Sequence, residues 1–214
     1  MADFDTLLAG YQRFRADGWA HERERWDRLA QGQTPKVMVI ACSDSRVDPS
    51  HIFDALPGEM FVVRNVAALV PPYETDGGFH GVSAALEFAV TQLRVAEIIV
   101  LGHGGCGGCE AALTARFAGA AHGEGGFIAH WISILDAARE RVCIDYGGDV
   151  DAQARAAMEH EAVKVSLANL RTFPWVRERE ADGSLTLHGA WFAIADGGLQ
   201  ILDEVASVFA DASI

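Results

Sequence analysis

The sequence predicts an α/β protein with a mainly parallel central β-sheet, flanking helices, at least one antiparallel edge strand and an N-terminal helical arm. Three observations carry this. Short apolar, β-branched runs occur at 36–41, at Phe61-Val62-Val63-Arg64 and at 97–101. Each is stopped by turn residues, as buried parallel strands are. Helical spacings lie between and after these runs, the strand–helix alternation of a parallel sheet. Near the C-terminus, 185–195 and 199–202 flank Asp196-Gly197-Gly198, a hairpin signal that makes an antiparallel edge.

The elements follow in order. Residues 3–31 carry Leu7, Leu8, Tyr11 and Phe14 at helical spacing, then Trp19, Trp26 and Leu29, and Asp17-Gly18 is expected to split the stretch into two helices. This arm, 1–34, either packs on its own domain or reaches to a second subunit. After the first strand, Asp48-Pro49-Ser50 opens a short helix over 51–56, and Pro57-Gly58 turns the chain into the second strand. Residues 65–72 are irregular, because Pro71-Pro72 excludes a helix. Gly77-Gly78 precedes an apolar helix over 82–93, and the third strand follows. Helices are predicted over 110–117, 127–138 and 151–170, the last ended by Phe173-Pro174-Trp175. Residues 35–214 thus read as one domain.

The chain has 214 residues, half of them hydrophobic, enough for a sizeable core. Seventeen Lys and Arg stand against 30 Asp and Glu, a formal charge of −13. That balance argues against nucleic acid and anionic membranes as partners, since both need clustered positive charge. No stretch approaches the roughly 20 apolar residues of a membrane span. The N-terminal residues show no secretory pattern, and four Cys in this length form no disulfide scaffold, so a reduced, cytoplasmic setting is expected.

The chemistry gathers where two strands stop. The first run ends in Cys42-Ser43-Asp44-Ser45-Arg46 and the third in His103-Gly104-Gly105-Cys106-Gly107-Gly108. Strands of one parallel sheet end at the same edge, and ligands bind beyond it. Cys42, His103 and Cys106 can therefore meet. Two thiolates and an imidazole suit zinc, with a fourth position left for water. Asp44 and Arg46 share a face if the segment is extended. A carboxylate held by a guanidinium stays ionised and fixed in direction. Asp44 can then orient a water at the metal, or become the fourth zinc ligand in a closed state. The Gly107 N–H is a candidate donor to a substrate oxygen, and Gly107 and Gly108 permit close backbone approach.

Each residue alone has an ordinary explanation: a packed Cys, a satisfied core His, a surface ion pair. Their convergence on two strand ends favours the metal. Cys109 and Cys143 are assigned to packing and His188 to a structural role. Five further histidines, at 51, 80, 122, 130 and 160, show no partner pattern. One competing motif remains, because Cys106-Gly107-Gly108-Cys109 is also a C-x-x-C at a strand–helix junction, the arrangement of a thiol redox site.

These residues resemble the β-class carbonic anhydrases. The likeness extends to Pro57-Gly58-Glu59, Phe61-Val62-Val63-Arg64-Asn65-Val66-Ala67, Val70-Pro71-Pro72-Tyr73 and Leu187-His188-Gly189-Ala190-Trp191-Phe192, and covers about 33–202. It implies reversible hydration of CO₂ to bicarbonate and a proton at one zinc per subunit. It also implies a homodimer or higher homo-oligomer with sites at the interface. The matching positions make Cys42, His103 and Cys106 the ligands and Asp44 and Arg46 the dyad. Gln33 matches a glutamine that bonds substrate from across the interface, and Phe61 and Val66 match the apolar CO₂ pocket. Phe88 stands where plant-type members have Tyr, and Gln92 where they have His. Gly104 stands where a Ser or Thr is usual. A bicarbonate-regulated subgroup has Trp and Gly where this chain has Val39 and Ala41, so the open, plant-like subgroup is expected. The runner-up on the same fold is a hydrolase of a sulfur analogue of CO₂.

Overall fold

The computed structural model describes residues 3–76 and 78–212. Gly77, half of the expected Gly77-Gly78 turn, lies outside them, as do residues 1 and 2 of the arm. The chain divides into two compact units, Met1–Thr34 and Pro35–Ile214.

The first unit is helical: α1 (Phe4–Arg13), α2 (Trp19–His21) and α3 (Arg23–Leu29). Asp3 caps α1, its carboxylate accepting the Thr6 N–H at 2.8 Å. The expected break at Asp17-Gly18 is absent. The helix runs through 14–18 as one looser, π-type turn, and Gly18 keeps αR angles. The chain kinks instead at Glu22 (φ −99°, ψ 25°). A glycine in a helix interior costs only about 1 kcal/mol, which its neighbours can offset. Here Trp19 lies between the Arg15 and Arg23 guanidinium groups, at 4.1 and 4.4 Å from its ring centre.

The second unit is built on a six-stranded sheet: β1 (Val37–Cys42), β2 (Met60–Asn65), β3 (Glu97–His103), β4 (Thr186–Phe192), β5 (Leu199–Asp203) and β6 (Val208–Asp211). The order is β2-β1-β3-β4-β5-β6. The first four strands are parallel, β5 pairs antiparallel with β4, and β6 pairs antiparallel with β5. The mainly parallel sheet and the antiparallel hairpin thus form as expected. β6 was not anticipated, since Val208-Phe209-Ala210 is too short a run to stand out. Between the strands lie α4 (Pro49–Ile52), α5 (Gly81–Glu87), α6 (Gly107–Leu113), α7 (Gly126–Ile132), α8 (Asp136–Asp145), α9 (Ala152–Leu170) and α10 (Pro174–Ala181).

Several boundaries differ from the sequence reading. α4 starts at Pro49, because Asp48 accepts the Ser50 and His51 N–H groups, and it stops at Ile52. α6 starts at Gly107, three residues before the expected position, with Cys106 as its N-cap. Pro174 opens a helix rather than only ending one, since proline suits the first helical turn. The helix from Gly81 continues through a looser turn to Leu93.

The main core joins β1, β2, β3 and β4 to α5, α9 and α10 through Met38, Ile40, Val100, Leu86, Val163, Leu167 and Val176. α9 lies across β3 and β4. Its approach requires glycine. A Cβ on Gly102 would sit 2.7 Å from Val163 Cγ2, and one on Gly189 would sit 3.0 Å from Val163 and Leu167. The other face holds the small cluster of Val39, Ala41, Leu101 and Ala190, with Ile52 and Phe53 against it.

Candidate active site

The shared sheet edge brings the two distant segments together. Cys42 closes β1 and His103 closes β3, while Cys106 follows one tight turn later. The ligand-type atoms of Cys42, His103 and Cys106 lie within 4.8 Å of one another. The two sulfurs are 3.9 Å apart, although 64 positions separate them in sequence. All three residues are buried, at 5, 2 and 3 % exposure.

The turn between His103 and Cys106 is held on every side. Gly105 has φ +66°, which favours glycine. The Gly104 N–H donates to Phe192 O at 2.9 Å. Arg46 Nη2 donates to Gly105 O at 3.0 Å, and the Cys106 N–H donates to Glu159 Oε1 at 3.0 Å.

His103 Nδ1 lies 3.0 Å from Gly104 O. A carbonyl only accepts, so Nδ1 carries the proton and Nε2 keeps a bare lone pair. That Nε2 is buried without a partner. A buried acceptor left unpaired is costly unless something completes it. The two thiols hold their protons while no metal is bound. Cys42 is pushed up to about 12, first by the hydrogen bond with the Cys106 thiol and then by burial. Cys106 also rises to about 12, first through the Cys109 thiol. Burial pulls His103 down, but the neighbouring Cys42 sulfur and the Gly104 carbonyl outweigh this and raise it. Two sulfurs and an open imidazole nitrogen, buried and converging, fit a zinc ion.

The segment carrying Asp44 and Arg46 is a turn and not extended, so the condition for a shared strand face is not met. The two residues pair nevertheless. Arg46 Nε donates to Asp44 Oδ1 at 2.9 Å, Nη2 to Oδ2 at 2.6 Å, and the Arg46 backbone N–H to Oδ1 at 3.0 Å. The Arg46 guanidinium holds the Asp44 carboxyl well below the usual carboxylate range. Arg64 fixes the same loop. It donates to Cys42 O at 2.9 Å, Asp44 O at 2.6 Å and Val47 O at 3.3 Å, and pairs with Asp48 at 3.1 Å.

The proposed substrate residues of the second unit do not all lie together. Val66 packs beside the metal-type set, because a Cβ on Gly108 would lie 2.8 Å from Val66 Cγ1. Gly108 is therefore small for Val66 and Ala67, not for a ligand, whereas a Cβ on Gly107 would meet nothing within 4 Å. Phe61 pairs with Met38, four positions before the Asn65–Cys42 pair, or roughly 13 Å along the strand. Phe88 stacks near Phe61, with ring centres 5.9 Å apart, and is half-exposed. Gln33 belongs to the first unit.

Sequence reasoning missed Glu159 and Trp191 as site residues. Glu159 is 5 % exposed on α9, and its second oxygen accepts the Trp191 indole N–H at 3.1 Å. Burial pushes its carboxyl up, while the N–H donors of Cys106, Trp191 and Gly105 pull it back. The available signal was an acid on the buried stripe of Met158, Ala162, Val163 and Ser166. Val66 rests on a turn in which Ala67 and Ala68 have φ +64° and +55°. Asn65 braces that turn, donating to Leu69 O at 2.9 Å and accepting the Leu69 N–H at 2.8 Å.

Cys109 is buried, 3 % exposed, in the apolar core around α6. The thiol redox reading needs an exposed, low-pKa cysteine, and Cys106 is neither. Cys143 is partly buried against the same core, and His188 bonds Glu97 at 3.1 Å.

The fold and this donor set define a zinc-type Cys-His-Cys centre at the edge of a mainly parallel α/β sheet. The family model described as carbonic anhydrase matches residues 37–199. Beta carbonic anhydrase 3 of Arabidopsis thaliana is 38% identical over 193 residues, covering 90% of this chain and 74% of the relative. The solved β-carbonic anhydrase CcaA is 31% identical with a TM-score of 0.89, covering 98% of this chain and 92% of that one. A tetrameric β-carbonic anhydrase of Sordaria macrospora is 26% identical with a TM-score of 0.81, covering 98% of each chain. The chain belongs to the β-carbonic anhydrase family, enzymes of the lyase class that use zinc.

Proposed function

We propose that this chain hydrates CO₂ reversibly to bicarbonate and a proton, with one zinc held by Cys42 Sγ, His103 Nε2 and Cys106 Sγ. The observation that carries the reading is the buried, unpartnered His103 Nε2 facing two converging thiols, with Nδ1 already tied to Gly104. When bound, the metal supplies Lewis acidity that brings the pKa of a water toward neutrality. Asp44, kept ionised and aimed by Arg46, accepts a hydrogen bond from the attacking water and turns its lone pair toward CO₂. Val66 offers an apolar wall that suits CO₂ and not bicarbonate. The Gly107 N–H is a donor for a substrate oxygen.

The open, plant-like form is our reading of the subgroup. Both Asp44 oxygens are engaged by Arg46, and Asp44 is not part of the converging set. Val39 and Ala41 are fully buried in an apolar cluster, and Arg64 is occupied by the ligand loop, which leaves little for a bicarbonate pocket there. The half-exposed Phe88, with Phe61 beside it, and Gln33 are assigned to the site of a partner subunit. A homo-oligomer follows, and it agrees with the tetrameric relative. The arm supports this through its exposed apolar stripe of Phe4, Leu7, Tyr11 and Phe14. Residues 35–214 are then the catalytic domain and 1–34 the arm. Four free cysteines suit a reducing compartment such as the cytoplasm. Among the described residues, no helix is long and apolar enough to cross a membrane.

The test is stopped-flow CO₂ hydration by zinc-verified protein across pH, with Cys42→Ser as control. Fast turnover that persists at neutral pH and is lost in the control is expected. Activity confined to alkaline pH would overturn the open form. No turnover at full zinc occupancy would overturn the reaction and point to a sulfur analogue of CO₂.

A further inference from the structure

Resting on the reading that Cys42, His103 and Cys106 hold zinc, we infer that Glu159 and Trp191 act together as positioning residues for the metal. They fix the His103–Cys106 turn that carries two of the three ligands. Glu159 stands one layer behind the turn, on α9. One carboxylate oxygen takes the Cys106 N–H at 3.0 Å and the other takes the Trp191 indole N–H at 3.1 Å. No Arg or Lys pairs with Glu159 among the described residues. A buried carboxylate without a cation is costly, so its N–H donors are what keep it there.

Trp191 holds the other end of the turn. Its ring lies where a Cβ on Gly104 would meet Cζ2 at 3.1 Å. A side chain at position 104 would press on the indole, which would have to give by a few tenths of an ångström to admit the hydroxyl expected after the ligand histidine. The indole and the carboxylate take over its bracing role. Trp191 is itself wedged by the His160 ring, edge-on at 5.1 Å, and His160 stacks on Phe209 of β6 at 4.1 Å. Each element of the turn therefore has a peg: Trp191 at Gly104, Arg46 at Gly105 and Glu159 at Cys106. Loss of the Glu159 peg frees Cys106 to swing away from Cys42 and His103.

Each of the two carboxylate oxygens accepts its own N–H, which the oxygen and NH₂ of an amide cannot both do. In Glu159→Gln, one side of the amide turns an N–H toward an N–H. Trp191→Phe removes the indole donor, together with the benzo-ring atoms that face Gly104, and so relieves that conflict. The experiment compares zinc-loaded wild type, Glu159→Gln, Glu159→Ala, Trp191→Phe and the Glu159→Gln/Trp191→Phe pair. Zinc release to a chromophoric chelator is timed, and the absorption bands of the cobalt(II)-substituted proteins report ligand geometry. Both single Glu159 variants are expected to release zinc about 10- to 100-fold faster, with shifted cobalt bands. The double variant should hold zinc better than Glu159→Gln alone. Unchanged release and bands in both Glu159 variants would overturn the inference, as would simple additivity in the double variant. Lowered melting of the metal-free protein with unchanged zinc release would also overturn it, by leaving Glu159 a purely structural role. A wild type that retains no zinc would overturn the metal reading itself.

Discussion

Gly102→Ala should loosen both the fold and the metal site. Gly102 sits in β3 directly before His103, and α9 passes above it. The new methyl would lie 2.7 Å from Val163 Cγ2, about 1 Å inside ordinary contact. Val163 is β-branched and helical, so its rotamer cannot turn away easily. The helix must lift instead. Overpacking of this kind costs about 1–3 kcal/mol. Glu159 lies one turn before Val163 on the same face of α9, so a lift also lengthens its 3.0 Å bond to the Cys106 N–H. A shift of about 0.5 Å takes that bond to the limit of useful geometry. Urea unfolding of the zinc-free protein reads the first effect, and zinc release to a chelator reads the second. Val163→Ala gives the decisive comparison. It removes the methyl that clashes, at its own cost of about 1–3 kcal/mol. In that background, Gly102→Ala should cost less than about 1 kcal/mol. An equal cost in both backgrounds would refute the contact argument.

Zinc uptake at pH 7 should release at least two protons per metal, because Cys42 and Cys106 are pushed up to about 12 and enter as thiols. Calorimetry in buffers of different ionisation enthalpy measures this, and release near zero would contradict it. The sign for the metal-free fold follows. These raised thiols contribute stability fully below their ordinary pKa near 9, and it is lost as pH rises toward 12. Metal-free protein should therefore melt progressively earlier above about pH 9. Arg46→Ala should return Asp44 toward its ordinary pKa near 3.8. Asp44 is depressed in the fold, so the wild-type advantage in acid unfolding should be constant at neutral pH and shrink as pH falls through that value; an advantage that persists in acid would contradict it. Leu7→Asp with Tyr11→Asp should reduce the oligomer on size-exclusion chromatography without loss of zinc, since both lie on the exposed stripe of α1.

The parallel strands were legible because Val, Ile and Leu runs stopped by turn residues allow little else. The metal-type set was legible because polar side chains ending two such runs must share one edge. Helix ends were read less well. Pro174 and Gly107 open helices, and both residue types read in sequence as interruptions. Gly18 does not break the arm, where Trp19 lies between two arginines. β6 was invisible because its partner β5 supplies the pairing that so short a run lacks.

The sequence alone determined the sheet class, the three metal-type residues and the Asp44–Arg46 pair. These depend on residue type and strand ends, which are local properties. Only the tertiary structure decided which histidine nitrogen is open, because that depends on where Gly104 O lies. It alone brought Glu159 and Trp191 behind the ligand turn, through the packing of α9 on β3 and β4. It also separated Val66, which lies at the set, from Phe61 and Phe88, which lie a strand length away. Position along a strand is a matter of register, and register is settled by pairing across the sheet, not by the strand's own residues.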